Sequence, residues 1–299
     1  MKNVSIQIQS VLYHNDVKGL KKAINNIANA IKVFKELQSE LDCEIYYGDA
    51  SKEPVFSRDE LIELKEQNPE LRDIRYVFFN ENTGTAKGHN RLARECKADY
   101  IMIMNPDVLV TPRFFTEMLE PFKDKSVGLT EARQTPVEHP KEYNLKTFQT
   151  SWSTTACVIF PVSVYKEVNG FDEDSFFMYC DDVDFSWRIR MAGFKLIYRP
   201  RAVVYHAKRL SVSGAWQPTS AERYYSAEAA LMMAYKWSQM ERLNKLLWDF
   251  KRSKDKVFNK AAHEFKKRKK EGKLPKQLDS EHRIATFVDG EYAKHRFVI

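Results

Sequence analysis

Six acidic side chains fall within thirteen positions of the segment 170–188, and large aromatic residues lie between them. The aromatic residues favour burial, and a buried carboxylate is costly unless it is paired or has a chemical task. Asp181 and Asp182 stand at the predicted start of a helix whose apolar side carries Phe185 and Ile189. A helix N-terminus stabilises an ionised carboxylate by up to about 1 kcal/mol. Both carboxylates are therefore candidates for a general base, which takes a proton from an attacking group.

A second group of polar residues follows the predicted strands, at the point where each strand ends. These turns are His14-Asn15, Asp49, Asn82 to Gly84, and Asn105-Pro106-Asp107. In a parallel α/β sheet the ligand crevice lies beyond the carboxyl ends of the strands. The turns are therefore predicted to line one pocket, although strand ends are also polar in proteins without a site there.

The elements that must position these residues follow from apolar periodicity. Strands are predicted at 4–12, 43–47, 74–79 and 100–104, with helices between them. The first helix is marked by apolar residues at helical spacing, namely Leu20, Ile24, Ile27, Ile31 and Phe34. This alternation predicts an α/β fold with a mostly parallel central sheet flanked by helices.

A different pattern begins after the last predicted strand. From residue 221 to about 270 the sequence is charged and helix-forming, which predicts a helical C-terminal extension. Its predicted buried face carries Leu231, Met232, Tyr235, Leu243, Leu246 and Leu247. We therefore divide the chain into a catalytic part, residues 1–211, and a mainly helical, basic extension, residues 212–299.

The net charge of +7 is concentrated in the extension, between Lys251 and Lys276. A solvated helix face fits this pattern, and so does a surface for anionic lipid headgroups or a polyanionic acceptor. Nucleic acid is not an expected partner, because no recognisable binding module accompanies the charge.

The expected compartment is the cytoplasm, with the inner face of an anionic membrane as a possible place of peripheral contact. The sequence shows no signal peptide and no apolar run near the roughly 20 residues that cross a bilayer. Four cysteines stand at 43, 96, 157 and 180 without paired spacing. Buried free thiols in a reducing compartment are therefore expected.

The segment 170–206, GFDEDSFFMYCDDVDFSWRIRMAGFKLIYRPRAVVYH, resembles the acidic-motif segment of inverting family-two glycosyltransferases. It is most similar to the branch with rhamnosyltransferases of surface polysaccharide assembly. Asp181 stands where glutamate is commoner in that pattern. The resemblance implies the A-type fold of nucleotide-diphospho-sugar transferases. It extends over about residues 3–211, including the stretches 131–134 and 138–141, and beyond that only to 290–292 and 295–297.

For the donor, the resemblance implies contacts from Tyr13, Asn15, Asp49, Asn82, Gly84, Lys87, Asn90 and Asn105. Asp49 would accept the N3–H of a pyrimidine ring, which favours UDP or dTDP. Lys87 would reach the diphosphate, although a plain surface lysine fits that position equally well. The acceptor, a glycan or lipid-linked glycan, would meet Trp152, Thr154 and Thr155.

For the metal, the resemblance implies a divalent cation, Mn²⁺ or Mg²⁺, held by Asp107 and His206. Asn105 replaces the first acid of the family's DxD motif, so Asp107 is its one remaining carboxylate. From the residues alone, His206 fits a core histidine after a strand better than a ligand. A cation there would stabilise the charge on the leaving diphosphate.

For the reaction, the resemblance implies that Asp182 takes the acceptor's proton while the hydroxyl attacks from the face opposite the diphosphate, which inverts the anomeric centre. Asp181 is the neighbouring alternative, and Asp184 is expected to pair with Arg188 through the i, i+4 relation. Two other functions stay open. Asn105 leaves room for a non-catalytic sugar-nucleotide-binding scaffold. A sugar nucleotidyltransferase would need a glycine-rich phosphate loop, whereas VLYHNDVKG has a single glycine.

Overall fold

Nine strands form one mixed sheet in the part of the chain that the computed structural model describes, residues 4–38, 40–138, 142–206, 218–288 and 292. The strands are β1 Val4–Leu12, β2 Leu41–Asp49, β3 Asp73–Phe78, β4 Tyr100–Met104, β5 Val108–Val110, β6 Val127–Thr135, β7 Gln149–Thr150, β8 Cys157–Pro161 and β9 Lys195–His206. Their order is β3-β2-β1-β4-β8-β6-β9-β5, and β7 pairs with β9. The four strands predicted from periodicity are all present.

Six of these strands run in one direction, which confirms the mostly parallel sheet. β1 is parallel to β2 and β4, and β2 is parallel to β3. β8 is antiparallel to β4 and to β6, so β6 and its parallel neighbour β9 run with the first four strands. The short strands β5 and β7 are antiparallel to β9. The carboxyl ends of β4 and β9 therefore lie at the same edge of the sheet.

Helices cover the sheet and form the predicted extension. They are α1 Val17–Leu37, α2 Arg58–Gln67, α3 Gly84–Ala93, α4 Phe114–Leu119, α5 Val162–Glu167, α6 Asp181–Met191, α7 Ser220–Lys236, α8 Met240–Arg252 and α9 Lys256–Lys270. The predicted apolar face of α1 is buried, and the Asp16 carboxylate caps this helix by accepting from the backbone N–H of Gly19. None of the helices among the described residues is both long and apolar enough to span a bilayer.

The extension shares a hydrophobic core with α6. This core joins Phe176, Val183 and Trp187 of the catalytic part to apolar residues of α7, α8 and α9. The expected face of the extension is confirmed, with Leu231, Met232 and Leu243 buried and Tyr235, Leu246 and Leu247 packed against it. The predicted division at 211/212 lies outside the described residues and stays a prediction, as do the resemblances at 139–141, 290–291 and 295–297.

A buried charge network ties α7 to α6. Asp184 is fully buried and accepts from Arg188 at 2.8 Å, which confirms the expected i, i+4 pair. The same carboxylate meets the Lys236 ammonium at 2.7 Å and the Trp237 indole N–H at 3.1 Å. Lys236 also pairs with Asp172 at 2.6 Å. A carboxylate this deep in the molecule is tolerated because each of its oxygens has a charged or polar partner.

The cysteines are buried free thiols, as expected. Cys43, Cys96, Cys157 and Cys180 are all unpaired with each other, and burial raises the pKa of each thiol. Reactive thiolate chemistry is therefore not favoured at these positions.

Candidate active site

Asp107 and His206 come together because β5 folds back beside β9. Val108 pairs with His206 in the antiparallel register, so the residue before β5 lies next to the residue that ends β9. The Asp107 Oδ1 and His206 Nε2 atoms are 3.5 Å apart, and the Asp107 side chain is 42% exposed. The Asn105 amide nitrogen lies 3.3 Å from the same His206 Nε2. One carboxylate, one imidazole and one amide therefore meet at the carboxyl edge of the sheet.

The other ring nitrogen of His206 faces inward, to Gln134 on β6. His206 Nδ1 lies 2.8 Å from Gln134 Oε1, and Gln134 Nε2 donates to Thr154 Oγ1 at 2.8 Å. Thr154 in turn donates its hydroxyl, at 3.2 Å, and its backbone N–H, at 3.1 Å, to Glu131 Oε1. The side chains of this chain of hydrogen bonds are buried. The sequence named Glu131 and Gln134 only as part of a familiar stretch and gave them no role.

Asp181 and Asp182 occupy the first turn of α6, as predicted. Cys180 before them adopts a left-handed conformation, with φ of 58°, which turns the chain sharply into the helix. Asp181 is buried and accepts from the Thr85 hydroxyl at 2.8 Å, whereas Asp182 is half-buried. The predicted helix side with Phe185 and Ile189 is buried as well.

Burial raises the pKa of both carboxyl groups. For Asp181 the hydrogen bond from Thr85 opposes this increase. For Asp182 the charge of Asp181 adds to the effect of burial, and the charge of Glu131 raises the pKa further. A direct contact joins α6 to the same segment of the chain: Ser153 donates its backbone N–H to the hydroxyl of Ser186, one turn after Asp182, at 3.0 Å. The next residue, Thr154, belongs to the hydrogen-bond chain that ends at His206.

Gly84 opens α3 directly against the acidic segment. Its φ is +66°, and a Cβ atom there would lie 2.1 Å from the carbonyl oxygen of Phe177. The next residue, Thr85, donates its backbone N–H to that oxygen at 3.0 Å. Asn82 lies just before, with its side-chain oxygen 3.4 Å from the Gly84 N–H. The structure thus gives Gly84 a packing role, while its predicted contact with the donor stays a prediction.

The Asp49 carboxylate has partners within the protein, and its predicted contact with the base of the donor stays a prediction. The residue is fully buried. Its Oδ1 accepts from the backbone N–H of Ser51 at 2.9 Å, and its Oδ2 accepts from the backbone N–H of Val55 at 2.8 Å and from the Tyr76 hydroxyl. The oxygens hold the loop after β2 in place because a buried carboxylate must be satisfied internally.

Asn90 is also committed to the protein. Its amide donates to the Phe171 carbonyl at 2.9 Å and to Glu173 at 2.7 Å, and its oxygen accepts from the Phe171 N–H and the Tyr165 hydroxyl. It lines a cavity of about 700 Å³ whose walls include neither Asp107, His206 nor Asp182. All donor and acceptor positions of the Asn90 amide have partners within the protein, and its predicted donor contact stays a prediction.

The remaining predicted donor residues lie at the surface. Lys87 forms an ion pair with Glu81, which matches the plain surface lysine that the sequence also allowed. Tyr13 is 51% exposed, and its backbone N–H donates to the Asn15 side chain at 2.7 Å. Tyr13 and Asn15 therefore remain free to meet a ligand from the loop after β1.

Of the three predicted acceptor residues, two are buried and one keeps some accessible surface. Trp152 is 5% exposed and packs edge-on against Tyr292, whose hydroxyl lies 2.7 Å from the Cys180 sulfur. Thr154 is 3% exposed and its hydroxyl belongs to the Gln134–Glu131 chain. Both side chains are therefore packed inside the protein, and their predicted contact with an acceptor stays a prediction. Thr155 is half-buried and keeps some accessible surface.

The residues at the end of β9 fit a divalent cation for which the protein supplies only some of the ligands. Among the described residues, no three His, Cys, Asp or Glu side chains come together as a complete metal site. Asp107 and His206 offer one oxygen and one nitrogen ligand on facing atoms, and Asn105 could turn its amide oxygen inward. Such a set leaves coordination positions for diphosphate oxygens, and mixed imidazole–oxygen ligation suits Mn²⁺ somewhat better than Mg²⁺.

The sequence of the chain is similar to sequences of known glycosyltransferases. The rhamnosyltransferase WbbL of Escherichia coli strain K12 is 28% identical over 192 residues, which are 52% of this chain and 72% of WbbL. An N-acetylglucosaminyl-diphospho-decaprenol L-rhamnosyltransferase of Mycobacterium tuberculosis is 35% identical over 91 residues, 30% of this chain and 27% of that protein.

Comparison of structures gives the same fold at low sequence identity. The mannosyltransferase PcManGT of Pyrobaculum calidifontis, solved with GDP-Man and Mn²⁺, has a TM-score of 0.58 at 16% identity and covers 91% of this chain and 82% of its own. GalNAc-T7, solved with UDP, GalNAc and Mn²⁺, has a TM-score of 0.62 at 13% identity and covers 95% of this chain and 57% of its own. The fold is therefore that of A-type glycosyltransferases.

The family model for glycosyl transferase family 2 matches residues 11–182, from the end of β1 to the two carboxylates that open α6. The match covers more than half of the chain and includes the Asn105-Pro106-Asp107 turn. The nucleotidyltransferase and scaffold alternatives have no comparable support. The chain belongs to glycosyltransferase family 2 and is a glycosyltransferase.

Proposed function

We propose that this enzyme moves a sugar from a nucleoside diphosphate to an acceptor hydroxyl with inversion, using Asp182 as the base and a divalent cation at Asp107 and His206. The observation that carries the proposal is the contact of α6 with the segment 153–154. Ser153 donates its backbone N–H to Ser186 on α6 at 3.0 Å, one turn after Asp182, and the next residue, Thr154, leads through Gln134 to His206. A proton acceptor, Asp182, and a group that would hold the diphosphate, Asp107 with His206, are suited together to a displacement at an anomeric carbon.

Asp182 would take the proton from the acceptor hydroxyl as its oxygen bonds to the anomeric carbon. The bond from that carbon to the diphosphate breaks in the same step, so the configuration inverts. A raised pKa makes Asp182 a better proton acceptor than an ordinary aspartate. Asp181, which is buried and accepts from the Thr85 hydroxyl, would hold the start of α6 in place.

At the other end, Asp107 and His206 would hold the cation and thereby orient the leaving diphosphate. When bound, Mn²⁺ or Mg²⁺ would neutralise the charge that develops on the phosphate oxygens. Asn105 would adjust from its contact with His206 Nε2 to leave that lone pair for the metal. This explains how an asparagine can stand at the first position of the turn without abolishing metal binding.

The test measures release of nucleoside diphosphate from donor, with and without EDTA, in the parent enzyme and in Asp107→Ala. We expect metal-dependent release in the parent and a loss of Mn²⁺-dependent donor affinity in the variant. Asp174→Ala, which removes an exposed carboxylate of the acidic segment, is the matched control. Equal calorimetric titrations with Mn²⁺ for Asp107→Ala and the parent would remove Asp107 from the metal site.

The donor and acceptor are part of the proposal. A UDP or dTDP sugar is the proposed donor, with Asp49 as the residue that would accept the N3–H of the pyrimidine ring. The relatives named as rhamnosyltransferases support a deoxyhexose donor and a lipid-linked glycan acceptor in polysaccharide assembly. Thermal stabilisation by a panel of nucleotide sugars tests the donor, because a ligand that binds only the folded state raises its stability. A purine nucleotide sugar as the best stabiliser would contradict the pyrimidine prediction.

We also propose that the enzyme works at the inner face of an anionic membrane, through α8 and α9. Trp248 on α8 is 56% exposed, with the Arg252 guanidinium 4.0 Å from its ring centre. The neighbouring Lys251 ammonium on α8 lowers the pKa of Lys266 on α9, because two like charges repel each other. An anionic headgroup would relieve that repulsion, and an exposed indole suits the interfacial region of a bilayer.

Vesicle sedimentation tests this surface. We expect binding to vesicles with anionic lipid, little binding to phosphatidylcholine alone, and loss of binding in the double variant Lys251→Glu/Lys266→Glu. The matched control is Lys22→Glu/Lys32→Glu, which makes the same charge change at exposed positions of α1. Equal binding by both double variants, or preferential binding of nucleic acid, would refute the assignment.

A further inference from the structure

The hydrogen-bond chain behind His206 determines which of its ring nitrogens carries a proton. Neutral imidazole has one N–H and one lone pair, and only the lone pair can bind a metal. His206 Nε2 faces Asp107 and Asn105, whereas Nδ1 faces Gln134. The tautomer therefore decides whether the atom that faces Asp107 is a ligand or a blocked N–H.

The donors and acceptors of this chain, taken in order from Glu131 to His206, are consistent with one arrangement of the protons. The Glu131 carboxylate has only acceptor sites, and Thr154 meets it with both its N–H and its hydroxyl, which has a single proton to give. The Thr154 oxygen must then accept at its other contact, so the group of Gln134 that faces it is the amide NH₂. The oxygen of Gln134 is thereby turned to His206, and Nδ1 must supply the proton.

The opposite orientation of Gln134 leaves a conflict at Glu131. If its oxygen faced Thr154, the hydroxyl proton would be needed there, and two oxygen lone pairs would face each other across 3.2 Å at Glu131. If its NH₂ faced His206, Nδ1 would have to accept, so Nε2, the atom that faces Asp107, would carry the proton. Gln134 and Thr154 are 3% exposed, so exchange with solvent does not resolve the conflict at Glu131.

We propose that Gln134 is a positioning residue that holds His206 as the Nδ1–H tautomer, with Thr154 and Glu131 fixing the orientation of the Gln134 amide. The inference rests on the proposed function in taking His206 as a metal ligand. Residues behind a metal-bound histidine typically contribute about 10- to 100-fold in metal affinity. Gln134 thus prepares the Nε2 lone pair before donor and metal arrive.

The first measurement reads the tautomer directly, without metal. In protein labelled with ¹⁵N-histidine, two-bond ¹H–¹⁵N correlations distinguish Nδ1–H from Nε2–H, and His206→Ala identifies the His206 signals among the seven histidines. We expect Nδ1–H in the parent. Gln134→Met, which keeps the length of the side chain and removes its polar atoms, should give a mixture of tautomers or Nε2–H. An Nε2–H signal in the parent would overturn the inference.

The second measurement titrates Mn²⁺ into the protein saturated with UDP. We expect Gln134→Met to weaken the metal about 10- to 100-fold. Thr154→Val, which removes only the hydroxyl, should weaken it less, and Thr154→Ser, which restores the hydroxyl, should recover both tautomer and affinity. If Gln134→Met keeps the parent tautomer and affinity, Gln134 is a structural residue only and the inference fails.

The same titration separates the inference from the proposed function. If His206→Ala binds Mn²⁺ as the parent does, His206 is not a ligand and the proposed metal site fails, whatever the tautomer. If His206→Ala loses the metal while Gln134→Met retains it, the metal site stands and the role of Gln134 is refuted. Thermal unfolding of each variant shows whether a loss of affinity merely follows from loss of the fold.

Discussion

Asp181 and Asp182 are adjacent carboxyl groups at the start of α6, and the fold treats them differently. Asp181 is buried and accepts a hydrogen bond from the Thr85 hydroxyl, whereas Asp182 is half-buried. Burial and neighbouring negative charge raise both pKa values, so the pair is costly to ionise. The same carboxyl groups that suit proton transfer therefore lower the stability of the fold when they are ionised.

We expect Asp182→Asn to reduce the transfer rate by about 10²- to 10⁴-fold while donor binding is retained, because the amide keeps the shape and loses the basicity. Steady-state transfer and calorimetric donor titration measure the two effects. Asp174→Asn, the same change at an exposed carboxylate, should leave the rate unaltered. A rate for Asp182→Asn within threefold of the parent would exclude this residue as the base.

The pH dependence of transfer should follow the carboxyl pair. A base must be unprotonated, so the rate of the parent enzyme should rise with pH along a limb centred well above the ordinary aspartate pKa of about 4. Asp181→Asn should shift that limb to lower pH, since it removes the negative charge next to Asp182. The initial rate at saturating donor and metal gives the profile. A plateau already reached at about pH 4 would contradict a raised pKa.

Stability should change with pH in the opposite direction. The folded state binds protons at this pair more tightly than the unfolded chain does, so its stabilising contribution is complete below about pH 4 and is lost as pH rises through the raised pKa values. Asp181→Asn removes one of the two buried charges, so its free energy of unfolding relative to the parent should increase from pH 4 to pH 8. Denaturant titrations across this range measure the difference. A constant difference would mean that Asp181 titrates normally.

At the scale of elements, the start of α3 packs closely against the start of α6 and the segment before it. Gly84 lies against the carbonyl of Phe177, and Thr85 reaches both that carbonyl and Asp181. The glycine is required for two reasons, its positive φ and the lack of space for a Cβ atom. The start of α3 therefore sets the position of the catalytic helix without contributing a reacting group.

Gly84→Ala separates these two reasons when it is compared with Gly272→Ala. Both glycines have φ near +66°, but a Cβ at Gly272 would meet nothing within 4 Å. We expect Gly272→Ala to cost about 1–2 kcal/mol from the left-handed backbone alone. Gly84→Ala should cost about 1–3 kcal/mol more, because the neighbouring backbone must shift. Equal free energies of unfolding for the two variants would show that the contact with Phe177 is readily relieved.

For the whole molecule, the buried pair of Asp184 and Lys236 joins the sheet-bearing part to the helical extension. Lys236 is 5% exposed and bridges Asp172 and Asp184, while Trp187 and Trp237 pack edge-on, with ring centres 5.1 Å apart. The apolar core and the charge network thus span the same boundary. The extension supports the catalytic helix from behind.

Lys236→Met should therefore lower the free energy of unfolding by about 3–5 kcal/mol, because it leaves the buried Asp184 with fewer counter-charges. Lys245→Met, the same change at an exposed position of α8, should alter it by less than about 0.5 kcal/mol. Circular dichroism and tryptophan fluorescence should follow one transition in the parent, since Trp187 and Trp237 lie in the shared core. Two separate transitions would show that the extension unfolds independently.

The sequence by itself determined the features that depend on local order. Periodicity located β1 to β4, the buried face of α1 and the start of α6, and the i, i+4 spacing identified the Asp184–Arg188 pair. These predictions hold because apolar spacing and helix-start chemistry act within a few residues. The resemblance supplied the family and implied that Asp107 and His206 hold one cation.

Only the tertiary structure decided which side chains meet and which are withdrawn. The β5–β9 register brings Asp107 to His206 over about a hundred residues, and the β6–β9 pairing puts Gln134 behind the imidazole. The same packing buries Asp49 and Thr154, for which the resemblance implies contacts with donor and acceptor. The reason is physical: exposure and proton position depend on contacts between distant strands, and no local pattern in the chain encodes them.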